Sequence, residues 1–240
     1  MTQDALLANL REIEKLLGYT FADKRLLELA FIHRSYVNEH EEVKEHNERL
    51  EFLGDSILGL IIADHLYRHL PETSEGDLSF LRSRLVEASS CMTYVQILGV
   101  EQYLMLGKGE RLNCGRGRDS ILADLFEAII GAIYLDGGES AARDFMFVHF
   151  SDEITKILQT PLHNWKALLQ DWCQKNYRET PLYKVMNESG PDHSKTFTVS
   201  VMVCDREIGC GEGASKKEAQ QAAAQEALEK IQKESPENPS

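Results

Sequence analysis

Acidic side chains recur at helical spacing in two segments of this chain. Glu48, Glu51 and Asp55 stand at positions i, i+3 and i+7, so on a helix they share one face. Asp124 and Glu127 repeat the i, i+3 spacing in a second segment. Carboxylate oxygens are the ligands that Mg²⁺ prefers, and a metal held by them can activate water for attack on a phosphodiester.

Apolar residues surround both groups of acids. A carboxylate in such surroundings is costly unless it is paired or bound to a metal. If the two helices face each other, their carboxylates form a compact oxygen cluster. A plainer interpretation is that the acids form ordinary surface ion pairs with basic residues, namely Arg49, Arg82, Arg84 or Lys108. Spacing alone leaves both open, since such acids are common on solvated helices.

The first two-thirds of the chain carry helical periodicity only. Predicted helices cover residues 4–17, about 47–70, a segment opened by the capping sequence Ser74–Asp77, about 119–135, and 139–158. No stretch before residue 160 alternates with the two-residue period of a strand. We therefore predict an all-α domain over residues 1–158, with the acids on two of its helices.

A different pattern follows. The sequence predicts a helix over 163–178, strands over 182–188, 195–203 and 206–212, and a helix from Ser215. The strand 195–203 alternates clearly, with Phe197 and three valines on one face. This order predicts a small α+β (α-β-β-β-α) domain over residues 159–232. Residues 233–240 carry two prolines, and we expect a disordered tail there.

Charge and cysteine content narrow the class of protein. The net charge is −13, of which −11 lies in residues 1–159, with 16 basic and 27 acidic residues; residues 160–230 are nearly neutral, with 9 and 10. An acidic domain can collect divalent cations, although the charge alone favours a plain, well-solvated surface. Five irregularly spaced cysteines without a CxxC argue against a disulfide framework or zinc site. No apolar run or signal-type start directs the chain to a membrane, so we expect a cytoplasmic protein.

Residues 47–56, which read NERLEFLGDS, resemble the signature of ribonuclease III. Three further segments resemble that family in the right order: FIHRSY at 31–36, EGDL at 75–78 and SILAD at 120–124. The resemblance extends from about residue 10 to residue 230. It implies an all-α endonuclease domain followed by a double-stranded RNA-binding domain.

The resemblance also implies roles for individual acids. Glu51, Asp124 and Glu127 match the Mg²⁺ ligands, and Mn²⁺ is expected to substitute. Asp55 and Glu127 match the catalytic residues, while Glu48 and Glu75 match accessory acids. The implied reaction is hydrolysis of duplex RNA by Mg-activated water, with staggered cuts that leave 5′-phosphate and 3′-hydroxyl ends.

Phe52 matches an aromatic residue that inserts into the partner subunit of this family. The resemblance therefore implies a homodimer, whose two-fold symmetry supplies one site for each RNA strand. Plain core packing is the alternative, and the sequence by itself favours it.

The C-terminal region resembles a double-stranded RNA-binding domain. The resemblance rests on Lys166–Gln170, on Gly190–His193 followed by Phe197, and on Gly211–Ala219. It implies that RNA contacts are made by Gln170, His193, Lys216 and Lys217. The chain departs from the family in reading Asn-Trp-Lys at 164–166, where relatives often have Asp-Pro-Lys, and in being nearly neutral here. Fewer phosphate contacts predict weaker, less salt-sensitive binding.

The family processes ribosomal RNA precursors and some messenger RNAs, and we expect the same here, together with transfer RNA processing. Duplex RNA is the expected partner, and we expect no membrane and no organic cofactor. A non-cleaving regulatory protein that binds double-stranded RNA is the main alternative. A metal nuclease acting on DNA or single strands is another, disfavoured by the C-terminal domain.

Overall fold

A computed structural model describes residues 3–112, 117–159, 165–190 and 195–234. The chain forms two compact units, residues 1–160 and residues 161–240. No helix within the described ranges is long and apolar enough to cross a membrane.

The first unit is built from helices. They are α1 (Gln3–Leu17), α2 (Lys24–Ala30), α3 (Arg34–Val37), α4 (Glu48–His69), α5 (Glu75–Val86), α6 (Ala88–Leu98), a 3₁₀ turn (Glu101–Tyr103), α7 (Lys108–Leu112) and α8 (Arg118–Gln159). The only β-type pairing among this unit's described residues is an isolated bridge between Ile32 and Met105. The prediction of an all-α first domain is confirmed.

Local sequence signals set several helix ends. Gly18 follows α1 with φ +61°, a left-handed conformation that glycine adopts without strain. Ser74 caps α5 by accepting a hydrogen bond from the Asp77 amide at 3.2 Å, and its hydroxyl donates to the Asp77 carboxylate at 2.8 Å. The predicted break between residues 135 and 139 is a kink within α8, where Gly138 has φ 78° and ψ −175°.

The core of the first unit lies between α4, α6 and α8. Tyr94 of α6 packs against Phe126 and Phe150 of α8, with ring centroids 5.0 Å and 4.6 Å away. All three side chains are buried. Burial of such large apolar rings is strongly stabilising, so the first half of α8, which carries Asp124 and Glu127, is firmly held against its neighbours.

The second unit has the predicted α-β-β-β-α order. Its elements are α9 (Trp165–Tyr177), β1 (Leu182–Ser189), β2 (Thr196–Val203), β3 (Arg206–Gly213) and α10 (Lys216–Glu234). The strands form an antiparallel sheet in the order β1-β2-β3. A two-residue turn joins β2 to β3 through Cys204 and Asp205, both with positive φ. The fold prediction is confirmed for this unit too.

One face of the sheet packs against both helices. Val199, Val201 and Val203 of β2 are buried with alanines of α10 and with Leu169 and Cys173 of α9. On β3, alternate glycines let α10 come very close: a Cβ on Gly211 would lie 2.2 Å from the Ala223 nitrogen. Helix α10 continues to Glu234, so the first two positions of the predicted tail are helical. Residues 235–240 lie outside the described residues.

Candidate metal centre and RNA-binding surface

Three of the predicted site residues meet where α4 and α8 cross. Glu51 projects from α4, and Asp124 and Glu127 project from α8. One carboxylate oxygen from each lies within 4.8 Å of the other two, and all three side chains are partly buried. Three convergent carboxylate oxygens suit a hard divalent cation, which completes its coordination with water. The residues present therefore fit a divalent cation such as the Mg²⁺ that the resemblance implies.

Two glycines bring these helices together. A Cβ on Gly54 of α4 would lie 1.7 Å from the backbone oxygen of Glu127, and a Cβ on Gly131 of α8 would lie 2.3 Å from the backbone oxygen of Leu50. Both positions therefore exclude any side chain. Sequence reasoning missed them, although a signal existed: a glycine inside a helix costs about 1 kcal/mol relative to alanine, so its presence suggests a packing reason.

The carboxylates disturb one another's protonation. Burial, followed by the charges of Asp55, Asp124 and Glu51, raises the pKa of Glu127 to about 7. Burial and the neighbouring carboxylates, Asp124 first, also raise the pKa of Glu51. The pKa of Asp124 is raised by burial and by Glu48. Because the site opposes its own negative charge, a bound cation would relieve a repulsion already present.

Among the described residues, no basic side chain pairs with these carboxylates. Across the parts of the chain that the structure describes, no Lys, Arg or His nitrogen lies within 4.0 Å of a carboxylate oxygen of Glu51, Asp55, Asp124 or Glu127. The interpretation of these acids as ordinary surface ion pairs is therefore wrong for the described residues.

The remaining predicted acids lie differently. Asp55 is exposed one turn beyond Glu51, outside the three-carboxylate cluster, although its charge acts on Glu51 and Glu127. Glu48 is exposed and pairs with Arg34 at 3.4 Å. Glu75 is exposed in the first turn of α5, where its carboxylate accepts a hydrogen bond from Ser79 at 2.9 Å. Three of the predicted acids therefore form the cluster, Asp55 and Glu48 lie beside it, and Glu75 lies outside it.

A buried thiol lies close to the acids and was not anticipated. Cys91 of α6 is fully buried, and its thiol donates to the Val86 carbonyl at 3.6 Å. Burial, then the charges of Glu127 and Asp55, raise the pKa of this thiol. Cys91 therefore stays protonated and contributes a neutral, apolar wall beside the carboxylates.

Phe52 is not a core residue. Its side chain is 78% exposed, and two other apolar residues of α4, Leu60 and Tyr67, are 52% and 74% exposed. At about 3.6 residues per turn these three side chains share one face of the helix. The core-packing interpretation of Phe52 is wrong, and α4 presents an apolar stripe to its surroundings.

The predicted RNA contacts of the second unit lie on exposed positions where the structure describes them. Gln170 is exposed on α9, and Lys216 and Lys217 are exposed in the first turn of α10. The positive end of the α10 dipole adds to the charge of the two lysines. His193 lies outside the described residues. Sequence reasoning missed one neighbour: the Glu188 carboxylate of β1 lies 3.0 Å from the Lys216 ammonium.

Comparison with known proteins finds a family model that matches each unit. A family model described as Ribonuclease-III-like matches residues 23–154, and one described as Double-stranded RNA binding motif matches residues 165–231. Ribonuclease 3 of Protochlamydia amoebophila is 68% identical over 220 residues, which cover 92% of this chain and 91% of that protein. Ribonuclease 3 of Leptospira interrogans is 42% identical over 226 residues, covering 94% and 92%.

Two solved structures also resemble part of this chain. The crystal structure of the nuclease domain of ribonuclease III from Campylobacter jejuni superposes with a TM-score of 0.55 at 36% identity, covering 60% of this chain and 95% of that one. Another structure of the same domain, with the same TM-score, is described as showing structural flexibility in a region involved in dimer formation.

Proposed function

Since the chain belongs to the ribonuclease III family and is an endoribonuclease of that type, we propose that it cuts double-stranded RNA at a divalent-metal site where α4 and α8 cross. Glu51, Asp124 and Glu127 would hold Mg²⁺, and Mn²⁺ would substitute. One observation carries the proposal: the three carboxylates converge within 4.8 Å without a basic partner among the described residues.

The chemistry follows from the properties of the acids. A bound divalent ion would supply positive charge to the phosphate and lower the pKa of a coordinated water. Glu51 and Asp124 would hold the ion in their ionised form. Asp55, exposed beside the cluster, would accept a proton from the attacking water at its carboxylate. Glu127, with a pKa of about 7 in the metal-free protein, can bind metal or hold a proton near neutral pH.

The proposed products are set by which bond to phosphorus breaks. An oxygen from water bonds to phosphorus, the bond from phosphorus to the 3′ oxygen breaks, and that oxygen takes a proton. The products carry a 5′-phosphate and a 3′-hydroxyl. Glu48 and Glu75 would act as accessory acids at the edge of the site, and for Glu48 the support is its effect on the pKa values of Glu51 and Asp124.

We assign RNA recognition to the second unit. Residues 1–158 would form the catalytic domain and residues 159–232 the RNA-binding domain. Gln170 and His193 would reach the two minor grooves, while Lys216 and Lys217 would contact phosphates across the intervening major groove. Such contacts read the shape and the 2′-hydroxyls of A-form RNA, so duplex DNA should compete poorly.

We further propose a homodimer joined through α4. The 78% exposure of Phe52 supports an intermolecular role for this side chain. Two copies related by a two-fold axis would present two metal sites, one for each strand, which gives staggered cuts. In the cell, the enzyme would process precursors of ribosomal, messenger and transfer RNA in the cytoplasm.

The test is cleavage of an end-labelled RNA duplex by the full chain with Mg²⁺, Mn²⁺ or EDTA. We expect metal-dependent staggered cuts whose products carry 5′-phosphates, resistant to competition by excess duplex DNA or single-stranded RNA. Tight binding without cuts under both metals would favour the non-cleaving regulatory protein. Equally fast cuts in DNA or single strands would overturn the substrate assignment.

A further inference from the structure

Lys216 is engaged by two groups of its own unit. Its ammonium lies 3.0 Å from a carboxylate oxygen of Glu188 and 5.5 Å from the centre of the Phe197 ring. Glu188 is near the end of β1, Phe197 is near the start of β2, and Lys216 begins α10. Three elements therefore fix the position of one ammonium group.

This ion pair is accessible to a large ligand. The side chains of Lys216 and Glu188 keep 58% and 43% of their exposure. A phosphate that contacts the Lys216 ammonium at hydrogen-bond distance would come within about 6 Å of the Glu188 carboxylate, inside the screening length of about 8 Å at physiological salt. Glu188 would therefore repel the phosphate that Lys216 attracts.

Lys217 offers a natural comparison. It is the next residue of the same helix and is also exposed, yet within the described ranges it forms no ion pair. The two lysines should thus differ in how much positive charge each offers to RNA. Part of the near-zero net charge of residues 160–230 therefore arises beside one of the two lysines that are proposed to contact RNA.

We propose that Glu188 is an internal counter-ion of Lys216 that lowers the affinity of this unit for duplex RNA and reduces its salt dependence. The inference rests on the proposed phosphate contact of Lys216. A purely supporting role for Glu188, in which it holds the ammonium in place for RNA, makes the opposite prediction, namely that loss of Glu188 weakens binding.

The experiment measures affinity of the full chain for a short RNA duplex in EDTA, so that the duplex stays uncut, across a series of salt concentrations. We expect Glu188→Gln to bind about two- to fivefold more tightly, in line with the small free energy of exposed ion pairs. The plot of log affinity against log salt should steepen by up to about 1, since one lysine becomes fully available to phosphate.

Double variants that combine Glu188→Gln with the loss of one lysine show which lysine the effect depends on. In a Lys216→Ala background, Glu188→Gln should tighten binding less than in the wild-type chain, because no ammonium remains to be released, whereas in a Lys217→Ala background the full tightening should persist. Glu212→Gln is the charge-matched control. Glu212 is exposed on β3, accepts a hydrogen bond from Thr198 at 3.1 Å and forms no ion pair among the described residues, so we expect little change.

Four results would overturn the inference. Weaker binding by Glu188→Gln would make Glu188 a supporting residue. Equal tightening in the Lys216→Ala background would reduce the effect to net charge. Unchanged affinity of Glu188→Gln, while Lys216→Ala binds more weakly, would remove the counter-ion but leave the proposed RNA contact. If Lys216→Ala itself changes nothing, the proposed contact and the inference both fail.

Discussion

The two units carry the charges of their proposed sites in opposite settings. In residues 1–160, Glu51, Asp124 and Glu127 are partly buried where two helices cross at glycines, and their pKa values are raised. In residues 161–240, Lys216 and Lys217 stand exposed at a helix start, and one of them has a carboxylate partner. Like charges that are partly buried repel one another, so they need a fixed geometry and a bound cation. An exposed charge can be changed by a single substitution with little effect on the free energy of unfolding.

The largest effect is expected from closing the helix crossing. Gly131→Ala would place a Cβ 2.3 Å from the Leu50 carbonyl oxygen, so α4 and α8 must separate. We expect a loss of about 3 kcal/mol in the free energy of unfolding together with loss of cleavage. Denaturant unfolding and a cleavage assay would measure both. Gly59→Ala is the matched control, because a Cβ there meets nothing within 4 Å. Equal stability of the two variants would break the account of the crossing.

The second-largest effect is expected from a substitution in the apolar stripe on α4. Phe52→Asp would place a charge where we propose a partner subunit, and we expect dimerisation to weaken by about 2 kcal/mol or more, roughly 30-fold. Analytical ultracentrifugation over a range of concentrations measures this. Val148→Asp provides the control, since Val148 is 77% exposed on α8 and has no assigned partner. Dissociation by Val148→Asp, with an intact dimer in Phe52→Asp, would move the interface elsewhere.

The exposed lysines should show a smaller, salt-dependent effect. Lys216→Ala combined with Lys217→Ala should weaken duplex binding about tenfold near physiological salt and reduce the salt slope by between about 1 and 2. Lys230→Ala, which removes a lysine paired with Glu226 far along α10, should change both quantities less. Unchanged affinity in the double variant would remove the assigned phosphate contacts.

The smallest effect concerns stability and pH. The pKa of Glu127 rises from 4.5 to about 7 on folding, so the folded state holds this proton more tightly and stability falls as pH rises between those values. Glu127→Gln removes the titrating group. In EDTA we expect the variant to be more stable than the wild type at pH 8, by about 1 kcal/mol, and this advantage should shrink toward pH 5.

Thermal unfolding of both proteins between pH 5 and pH 8 measures that difference. An advantage that does not vary with pH would contradict the raised pKa. A variant less stable at every pH would show that the carboxylate is held by favourable contacts rather than opposed by its neighbours.

Much of the fold was predictable because it rests on local periodicity. The strand 195–203 and the long helices follow from spacing along the chain, and Glu51 and Asp124 were singled out in the same way. The contact of Gly54 with α8 and the pairing of Glu188 with Lys216 were not predictable, because each joins residues far apart in sequence. The exposure of Phe52 was not predictable for a different reason: an exposed apolar side chain on a helix can have the same sequence pattern as one that faces the core.

The central claim is that cutting and RNA recognition belong to separate units. It is tested most directly by measuring cleavage of one labelled RNA duplex with Mg²⁺, and its binding in EDTA, for wild type and Glu127→Gln. We predict that the variant loses cleavage by about a thousandfold or more, since one carboxylate of the proposed metal site is gone, while its affinity for the duplex stays within about twofold. Cleavage at the wild-type rate would contradict the site, and a parallel loss of binding would contradict the separation.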